Sequence, residues 1–206
     1  MGRRLLGVHA EDGFLLRPGM RVGVLGGSFD PPHVGHRHLS LEALKRFDLD
    51  RVIWLVSPGN PLKPEAPAAF TRRMVAVREM TRHPKLLVSD FELRTGSRYT
   101  ANTLALMQKR WQGVRFVWLM GADNLIGFHA WKDWQGIMER VPVGVLARPG
   151  SRLKARFSKA ARVYAQARLP DRSAGLLGRV DAPCWCYVNI PLRPENSTAI
   201  RASGQW

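Results

Sequence analysis

The chain has 206 residues, 45% of them hydrophobic, and a formal net charge of +16 at pH 7. This length and composition predict one globular domain with a sizeable core, and the excess positive charge favours anionic partners. No apolar run approaches the ~20 residues of a membrane helix and no secretory signal follows Arg3 and Arg4, which excludes a membrane-spanning chain and predicts a cytoplasmic protein.

The first predicted strand follows a leader of weak periodicity. Residues 1–20 end in the turn signal Arg17-Pro18-Gly19 and are predicted to form an arm outside the core. Residues 21–206 are predicted to form a single domain, which opens with a buried apolar strand from Val22 to Leu25.

The stretch from Gly26 to His36 lies between this strand and a helix predicted from about His36 to Phe47. A glycine turn between a strand and a helix points main-chain N–H groups and the helix N-terminus at one place, which suits a phosphate. His33 and His36 are three residues apart, so both rings can project from one face and donate hydrogen bonds to phosphate oxygens. Either histidine alone would be more typical of a surface or capping residue, but the whole stretch from Gly26 to His36 is a long and specific signal for a phosphate site.

A second buried strand, Arg51 to Ser57, is followed by a loop at 58–67 that contains four prolines and a glycine. This composition forbids regular structure. Because α/β folds bind ligands where parallel strands end, the polar side chains of Asn60 and Lys63 are candidate ligand contacts.

Strands and helices alternate along the rest of the chain. Further strands are predicted within 85–91, 115–120, 142–147 and 184–190, helices at 71–82 and 101–111, and a polar loop at 92–98. Thr71 is the predicted N-cap of one helix, and Thr100 or Ser97 of the other. The alternation predicts an α/β fold, a Rossmann-like, doubly wound, mainly parallel sheet of about six strands with ligands at the strand carboxyl ends.

Two later segments offer further candidates. Gly121-Ala122-Asp123-Asn124 repeats the order of strand, small residues and helix, and Trp131 beyond it would either pack in the core or stack on a flat ring. Near the end of the chain, Ser197 or Thr198 can cap a helix, with Arg201 one turn further on. That pattern fits an ordinary capped helix or a second phosphate clamp.

Half of the net charge lies between Arg148 and Arg179, where nine Lys or Arg residues accompany one acid, Asp171. A basic helix is predicted to follow Arg148-Pro149-Gly150, with an irregular segment from Pro170 to Gly178. No RNA- or DNA-binding signature accompanies it, so a solvated face is favoured over nucleic-acid binding. Cys184 and Cys186 have no second cysteine pair with which to complete a zinc site, and they predict buried thiols and no metal site.

Residues 20–201 resemble the nicotinate-nucleotide adenylyltransferases, a bacterial family of nucleotidyltransferases that carry a His-x-Gly-His signature. Members of that family join ATP to nicotinate mononucleotide and release pyrophosphate, with Mg²⁺, in NAD synthesis. Five segments carry the resemblance: Gly26 to His36, Asn60 with Lys63, Arg98 to Leu104, Gly121 to Trp131, and Ser197 to Arg201.

The resemblance implies two sets of contacts. The implied ATP contacts are Gly26, Gly27, Ser28, Phe29, His33, His36, Gly121, Asp123, Ser197, Thr198 and Arg201. The implied mononucleotide contacts are Asn60 and Lys63 at the phosphate, and Tyr99, Thr100, Trp131 and Lys132 around the pyridine ring. Lys132 departs from the family, in which an aromatic residue often follows the tryptophan, and a positive charge there would favour the acid over the amide.

The predicted chemistry is direct attack of the mononucleotide phosphate on the α-phosphorus of ATP. His36, assisted by His33 and Arg201, is the predicted catalytic group that stabilises charge, and Mg²⁺ is expected on the ATP phosphates. No Ser–His–Asp or Cys–His set points to a covalent route. Two alternatives stay open: a sister adenylyltransferase that uses nicotinamide mononucleotide or phosphopantetheine, and a basic nucleic-acid-binding protein.

Overall fold

The computed structural model describes residues 8–9, 13–59, 66–147, 152–191, 197–204 and 206. The strands are β1 (Val8–His9), β2 (Phe14–Leu15), β3 (Arg21–Gly27), β4 (Arg51–Val56), β5 (Leu86–Ser89), β6 (Arg115–Gly121), β7 (Val143–Ala147), β8 (Arg168–Leu169) and β9 (Trp185–Asn189). Seven of them form a parallel sheet with the spatial order β5-β4-β3-β6-β7-β9-β8. A separate antiparallel pair, β1 and β2, precedes this sheet in the sequence.

Helices connect the strands and cover the sheet. The α-helices are α1 (Val34–Arg46), α2 (Phe70–Met80), α3 (Phe91–Thr95), α4 (Thr100–Arg110), α5 (Ala122–Gly127), α6 (Trp134–Arg140), α7 (Arg152–Arg156), α8 (Lys159–Val163) and α9 (Ser197–Ala202). Short 3₁₀ turns lie at Phe128–Ala130, Ala165–Ala167 and Asp171–Leu176.

Alternate residues of the central strands face opposite sides of the sheet. Ile53 and Leu55 of β4 belong to one buried cluster, which includes α4 and α6, whereas Val52 and Trp54 belong to another, which includes α1 and α2. All of these β4 side chains are fully buried. A strand covered on both faces explains why its sequence is almost continuously apolar, and it confirms the doubly wound α/β prediction.

The direction in which the chain builds the sheet reverses beside β3. From β3 the chain adds β4 and β5 on one side, and it then returns to place β6 on the other side, with Leu25 paired to Leu119. A crevice forms outside the carboxyl ends of two such strands because their following connections leave toward opposite faces. Gly27 at the end of β3 and Gly121 at the end of β6 therefore flank the place where this fold class binds ligands.

Several predicted boundaries need correction. The sheet has seven strands because β8, only two residues long, carries too little pattern to be read from sequence. Helix α1 begins at Val34 instead of His36. Helix α2 begins at Phe70, so Thr71 lies inside its first turn and is not its cap. Helix α4 begins at Thr100, and its N-cap residue, Tyr99, makes no side-chain capping bond, so the predicted cap at Thr100 or Ser97 was wrong.

The predicted loop at 92–98 and the predicted basic helix were also wrong in part. Residues 91–95 form α3, because Phe91 is buried and anchors a short turn of helix. In the part of 148–179 that the structure describes, the chain forms α7, α8, two 3₁₀ turns and β8 instead of one helix and an irregular segment. Ser158 interrupts the segment by capping α8, since its hydroxyl accepts a hydrogen bond from the Ala161 N–H at 3.3 Å.

Part of the predicted leader packs against the domain. Leu16 is 1% exposed within the buried cluster that includes α4, and Phe14 stacks on Trp111 with ring centroids 6.1 Å apart. The division of the chain at residue 20 stays a prediction.

Both cysteines are buried and unpaired with one another, as expected from their positions on and beside β9. Burial raises the pKa of the Cys186 thiol to about 12, so this thiol is protonated and unreactive at neutral pH.

Within the part of the chain that the structure describes, no helix is long and apolar enough to cross a membrane.

Candidate active site

The loop after β3 is shaped by two close contacts. A Cβ on Gly26 would lie 2.4 Å from the indole ring of Trp118 on the neighbouring strand β6, so only glycine fits there. Phe29 adopts a positive φ of 48°, and its buried ring stacks on Trp54 with centroids 4.7 Å apart. Because the Phe29 ring faces the core, its main chain is the part that a ligand at this loop could contact.

The two histidines lie together at the start of α1. Their ring centroids are 3.8 Å apart, and the His33 main-chain N–H donates to Nδ1 of His36 at 3.2 Å. A neutral His36 that accepts at Nδ1 carries its proton on Nε2, which makes Nε2 a hydrogen-bond donor. The Phe29 ring packs edge-on against His36 at 5.1 Å and limits its rotation. The sequence therefore places an oriented imidazole donor beside the N-terminus of a thirteen-residue helix.

Helix α9 comes from the far end of the sequence to the same loop. The Ser197 hydroxyl donates to the carbonyl of Pro31 at 2.9 Å across 166 residues of sequence, and the Arg201 guanidinium donates to the carbonyl of Asp30. Arg201 also lies 3.4 Å from the Thr198 hydroxyl, to which it donates. The loop with the paired imidazoles and the Ser-Thr…Arg turn therefore meet, as the phosphate-clamp interpretation requires.

Gly121 and Asp123 lie at the neighbouring strand end. A Cβ on Gly121 would lie 2.4 Å from Oδ1 of Asp123, so glycine leaves room for this carboxylate to fold back over the end of β6. Asp123 is exposed in the first turn of α5. It lies across the β3–β6 switch point from the histidine loop.

The residues implied at the pyridine ring take part in two separate side-chain contacts, one made by Trp131 and the other between Lys132 and Tyr99. Trp131 packs edge-on against Trp118 at 6.2 Å, and Trp118 also touches the Gly26 position, so packed side chains connect Trp131 to the end of β3. The ammonium of the exposed Lys132 lies 4.5 Å from the centroid of the Tyr99 ring. Thr100 follows Tyr99 as the first residue of α4. Asn60 and Lys63 lie outside the described residues.

Comparison with known proteins assigns the family. The Cytidylyltransferase-like family model matches residues 24–202. A protein from Cereibacter sphaeroides named "probable nicotinate-nucleotide adenylyltransferase" is 62% identical over 91% of this chain and 99% of its own length. A relative of the same name from a Ruegeria species is 58% identical over 91% of this chain and 99% of its own. The chain belongs to the nicotinate-nucleotide adenylyltransferase family.

A solved structure is similar in fold to this family member. The nicotinic acid mononucleotide adenylyltransferase of Plasmodium falciparum, complexed with NaAD, superposes with a TM-score of 0.68 over 88% of this chain and 82% of its own. The two sequences are 13% identical, so this similarity concerns the fold. This similarity confirms the Rossmann-like architecture predicted from the sequence, and the family model and the curated relatives confirm the predicted nucleotidyltransferase class.

Three residues around this adenylyltransferase site were missed by the sequence analysis. Trp206 donates from Nε1 to the Asp30 carboxylate at 2.6 Å, and its ring lies 4.2 Å from the Arg72 guanidinium, which fastens the chain beyond α9 to the histidine loop. Arg73 is a buried cation below the same loop. Glu92 is a buried acid between β4 and α4. No motif marks them, because each is defined by contacts between segments distant in sequence.

Glu92 joins the two elements that carry the implied mononucleotide contacts. Its carboxylate accepts from the Thr103 hydroxyl of α4 at 3.0 Å, and the Thr103 hydroxyl lies 2.8 Å from that of Ser97. Burial raises the pKa of Glu92, and hydrogen bonds from Thr103 and Ser57 lower it in part. Since Ser57 follows β4 and Thr103 lies one turn after Tyr99, this carboxyl group holds the end of β4 against the start of α4.

The raised pKa of Glu92 predicts a pH-dependent stability. The folded protein binds the Glu92 proton more tightly than the unfolded chain, so stability falls as the pH rises from the usual carboxyl range through the raised pKa. Glu92→Gln cannot ionise and keeps an oxygen to accept from Thr103. We expect the Tm of the variant minus that of the wild type to increase as pH rises across this window, measured by thermal unfolding. The exposed Glu79→Gln is the control, and a difference for Glu92→Gln that does not change with pH would contradict this account.

Proposed function

We propose that this enzyme transfers the adenylyl group of ATP to nicotinate mononucleotide, forming deamido-NAD and pyrophosphate in NAD synthesis. The observation that most supports this is the meeting of α9 with the histidine loop, where Ser197 and Arg201 hydrogen-bond to Pro31 and Asp30. This arrangement collects imidazole, hydroxyl and guanidinium donors at the carboxyl end of β3, which is the requirement for holding a triphosphate.

In the proposed reaction, a phosphate oxygen of the mononucleotide attacks the α-phosphorus of ATP directly. A bond forms between that oxygen and the α-phosphorus, the bond from the α-phosphorus to the bridging oxygen breaks, and pyrophosphate leaves with its electron pair. Such transfer depends on in-line positioning and on neutralising the charge that develops on the phosphate oxygens. Nε2 of His36 is the proposed donor at the α-phosphate, and His33 and Arg201 bind the neighbouring phosphates.

We propose that ATP binds as its Mg²⁺ complex, with the phosphate oxygens as the main ligands. Among the described residues, no group of three or more His, Cys, Asp or Glu side chains is placed to hold a metal ion. The donors around α1 and α9 are nitrogen and hydroxyl groups, which suit phosphate, whereas Mg²⁺ prefers carboxylate and phosphate oxygens. The ion supplies charge neutralisation on the phosphates.

The remaining contacts are proposed for the nucleoside and the acceptor. Gly26, Gly27, Ser28 and the Phe29 main chain would line the nucleotide, with Gly121 and Asp123 toward the adenosine end. Trp131 would stack on the pyridine ring, and Tyr99, Thr100 and Lys132 would face its carboxylate. Asn60 and Lys63 would bind the phosphate of the mononucleotide.

One assay tests the proposal directly. Pyrophosphate release is measured with ATP and, in parallel, nicotinate mononucleotide, nicotinamide mononucleotide or phosphopantetheine. We expect the acid mononucleotide to give the highest kcat/KM. A higher value with another acceptor would identify a sister adenylyltransferase. Absence of pyrophosphate release with all three, together with salt-dependent binding to RNA or DNA, would favour a nucleic-acid-binding protein.

Replacing Lys132 tests the preference for the acid. Lys132→Met removes the positive charge near the Tyr99 ring, and we expect it to lower kcat/KM for nicotinate mononucleotide about fivefold, the upper end of the range for an exposed ion pair. The value for nicotinamide mononucleotide should change little, because the amide carries no charge. Lys109→Met, at the exposed far end of α4, is the matched control. Equal losses with the acid and the amide would contradict a charge-based role for Lys132.

A further inference from the structure

Arg73 is a buried cation in the first turn of α2. Its side chain is 1% exposed, although arginine is among the residues that are almost never buried without a partner. Desolvation by burial lowers the pKa of its guanidinium, and the charge of Asp30 opposes this shift. A buried guanidinium is stable only when hydrogen-bond acceptors satisfy its N–H groups.

Within the described residues, the side chain of Arg73 donates its hydrogen bonds to main-chain carbonyl groups. Nε donates to Ala68 at 2.8 Å, one terminal nitrogen donates to Ser28 at 2.6 Å and to Ser57 at 2.8 Å, and the other donates to Pro58 at 3.2 Å. Within the described ranges, no carboxylate forms a salt bridge with it. The guanidinium thus holds the main chain at four carbonyl groups, and each of them would lose a hydrogen-bond donor if Arg73 were replaced.

The four carbonyls belong to segments that are separate in sequence. Ser28 lies in the loop after β3 and is itself one of the implied ATP contacts. Ser57 and Pro58 follow β4, and Ala68 precedes α2, so they stand on either side of the proline-rich segment that carries Asn60 and Lys63. The rigid planar guanidinium holds both sides of that segment in a fixed relation to the β3 loop, which a flexible ammonium could not reproduce.

We propose that Arg73 is a positioning residue. It fixes Ser28, in the loop after β3, relative to Ser57, Pro58 and Ala68, which flank the segment that carries the implied mononucleotide contacts, as in-line attack requires. This inference rests on the proposed function, since it takes Ser28 and the 58–67 loop to serve the two reacting substrates. Arg73 itself touches neither substrate. An error of about 1 Å in the relative placement of two reactants is enough to lower a rate ~10²-fold.

Two substitutions separate position from charge. Arg73→Met keeps the apolar stem and removes every donor, and Arg73→Lys keeps the charge but cannot reach four carbonyls in three segments. We expect both to lower kcat/KM by about 10²-fold, with KM raised for ATP and for nicotinate mononucleotide together, because both loops shift. Arg78→Met removes an exposed arginine from the same helix and should leave both KM values unchanged.

A second control separates positioning from general loss of stability. Val77→Ala opens a cavity under α2, where Val77 is fully buried, and it should lower Tm without raising either KM at temperatures well below the transition. If the Arg73 variants keep both KM values and kcat within twofold of the wild type, the proposal is wrong. If Val77→Ala, at an equal loss of Tm, raises both KM values as much as they do, the role of Arg73 is only structural and the proposal is also wrong.

Binding of an ATP analogue makes this test independent of the acceptor. We expect α,β-methylene-ATP, titrated by calorimetry, to bind Arg73→Met at least fivefold more weakly than the wild type, and Arg78→Met equally well. Wild-type protein that binds the analogue but does not adenylylate nicotinate mononucleotide would refute the proposed function alone. If the wild-type protein turns over and Arg73→Met binds the analogue as tightly as the wild type does, the positioning role alone would be refuted.

Discussion

Replacing His36 with alanine is expected to lower kcat for adenylyl transfer by about 10²–10³-fold, the range seen when one donor to a developing oxyanion is lost. The geometry explains the size of the effect. The His33 main-chain N–H donates to Nδ1 of His36, so Nε2 is held as a donor, and the Phe29 ring restrains the imidazole. A donor that is oriented before the substrate arrives needs no rearrangement during the reaction, and its removal raises the barrier by its full effect on the transition state.

The His36 measurement needs a control from the same helix. His38 is two residues further along α1, where its Nε2 lies 3.1 Å from the carbonyl of Pro191, away from the paired imidazoles. His38→Ala should therefore retain kcat, and circular dichroism should give the same helix content for both variants. If His36→Ala turns over within threefold of the wild type, the imidazole does not stabilise charge at the α-phosphorus.

The sequence predicted the sheet well because its strands are buried on both faces. Runs such as Val-Ile-Trp-Leu-Val in β4 are continuous, β-branched or aromatic, and bounded by polar residues, so no helix pattern competes with them. The doubly wound, mainly parallel arrangement followed from the alternation of strands and helices and from the right-handedness of crossovers, whereas the switch point between β3 and β6 is known from the structure. Two-residue β8 carries no such signal.

The candidate site was predictable only where its residues are contiguous. Gly26 to His36 is one stretch whose spacing brings two imidazoles to one helix start. Arg73 could not be found in this way, because an arginine in a first helical turn is ordinarily exposed and its partners lie in three other segments. Tertiary contacts, not local pattern, decide that this side chain is buried.

The reason for Gly26 also differed from the expected one. The sequence analysis interpreted the glycine turn as a phosphate site, whereas Gly26 is required by the indole of Trp118 on the adjacent strand. A Cβ at Gly27 would meet the Phe29 ring at 3.5 Å, an ordinary contact. Packing alone therefore accounts for the first glycine, and access to a ligand stays the proposal for the second.

Replacing Arg201 with methionine is expected to lower kcat/KM by about 10²-fold, because a guanidinium that binds phosphate contributes charge and directed hydrogen bonds together. Arg201 is held for this role from two sides. It donates to the carbonyl of Asp30 in the histidine loop and, at 3.4 Å, to the Thr198 hydroxyl of its own helix, while the Asp30 carboxylate lies 4.0 Å away. We expect Arg201→Lys to recover part of the loss, since lysine keeps the charge but not the planar donor geometry.

The control for Arg201 must remove the same charge from a different place, because the chain as a whole is strongly cationic. Arg162→Met, at an exposed position of α8, lowers the net charge of +16 by the same amount without touching the β3 loop. A general attraction of ATP by the positive surface would make the two variants equally slow at low ionic strength and would disappear with added salt. A local phosphate contact would leave Arg162→Met near wild type and would keep Arg201→Met slow at all salt concentrations. If the two variants lose equal activity and the loss disappears with added salt, α9 does not form part of the triphosphate site.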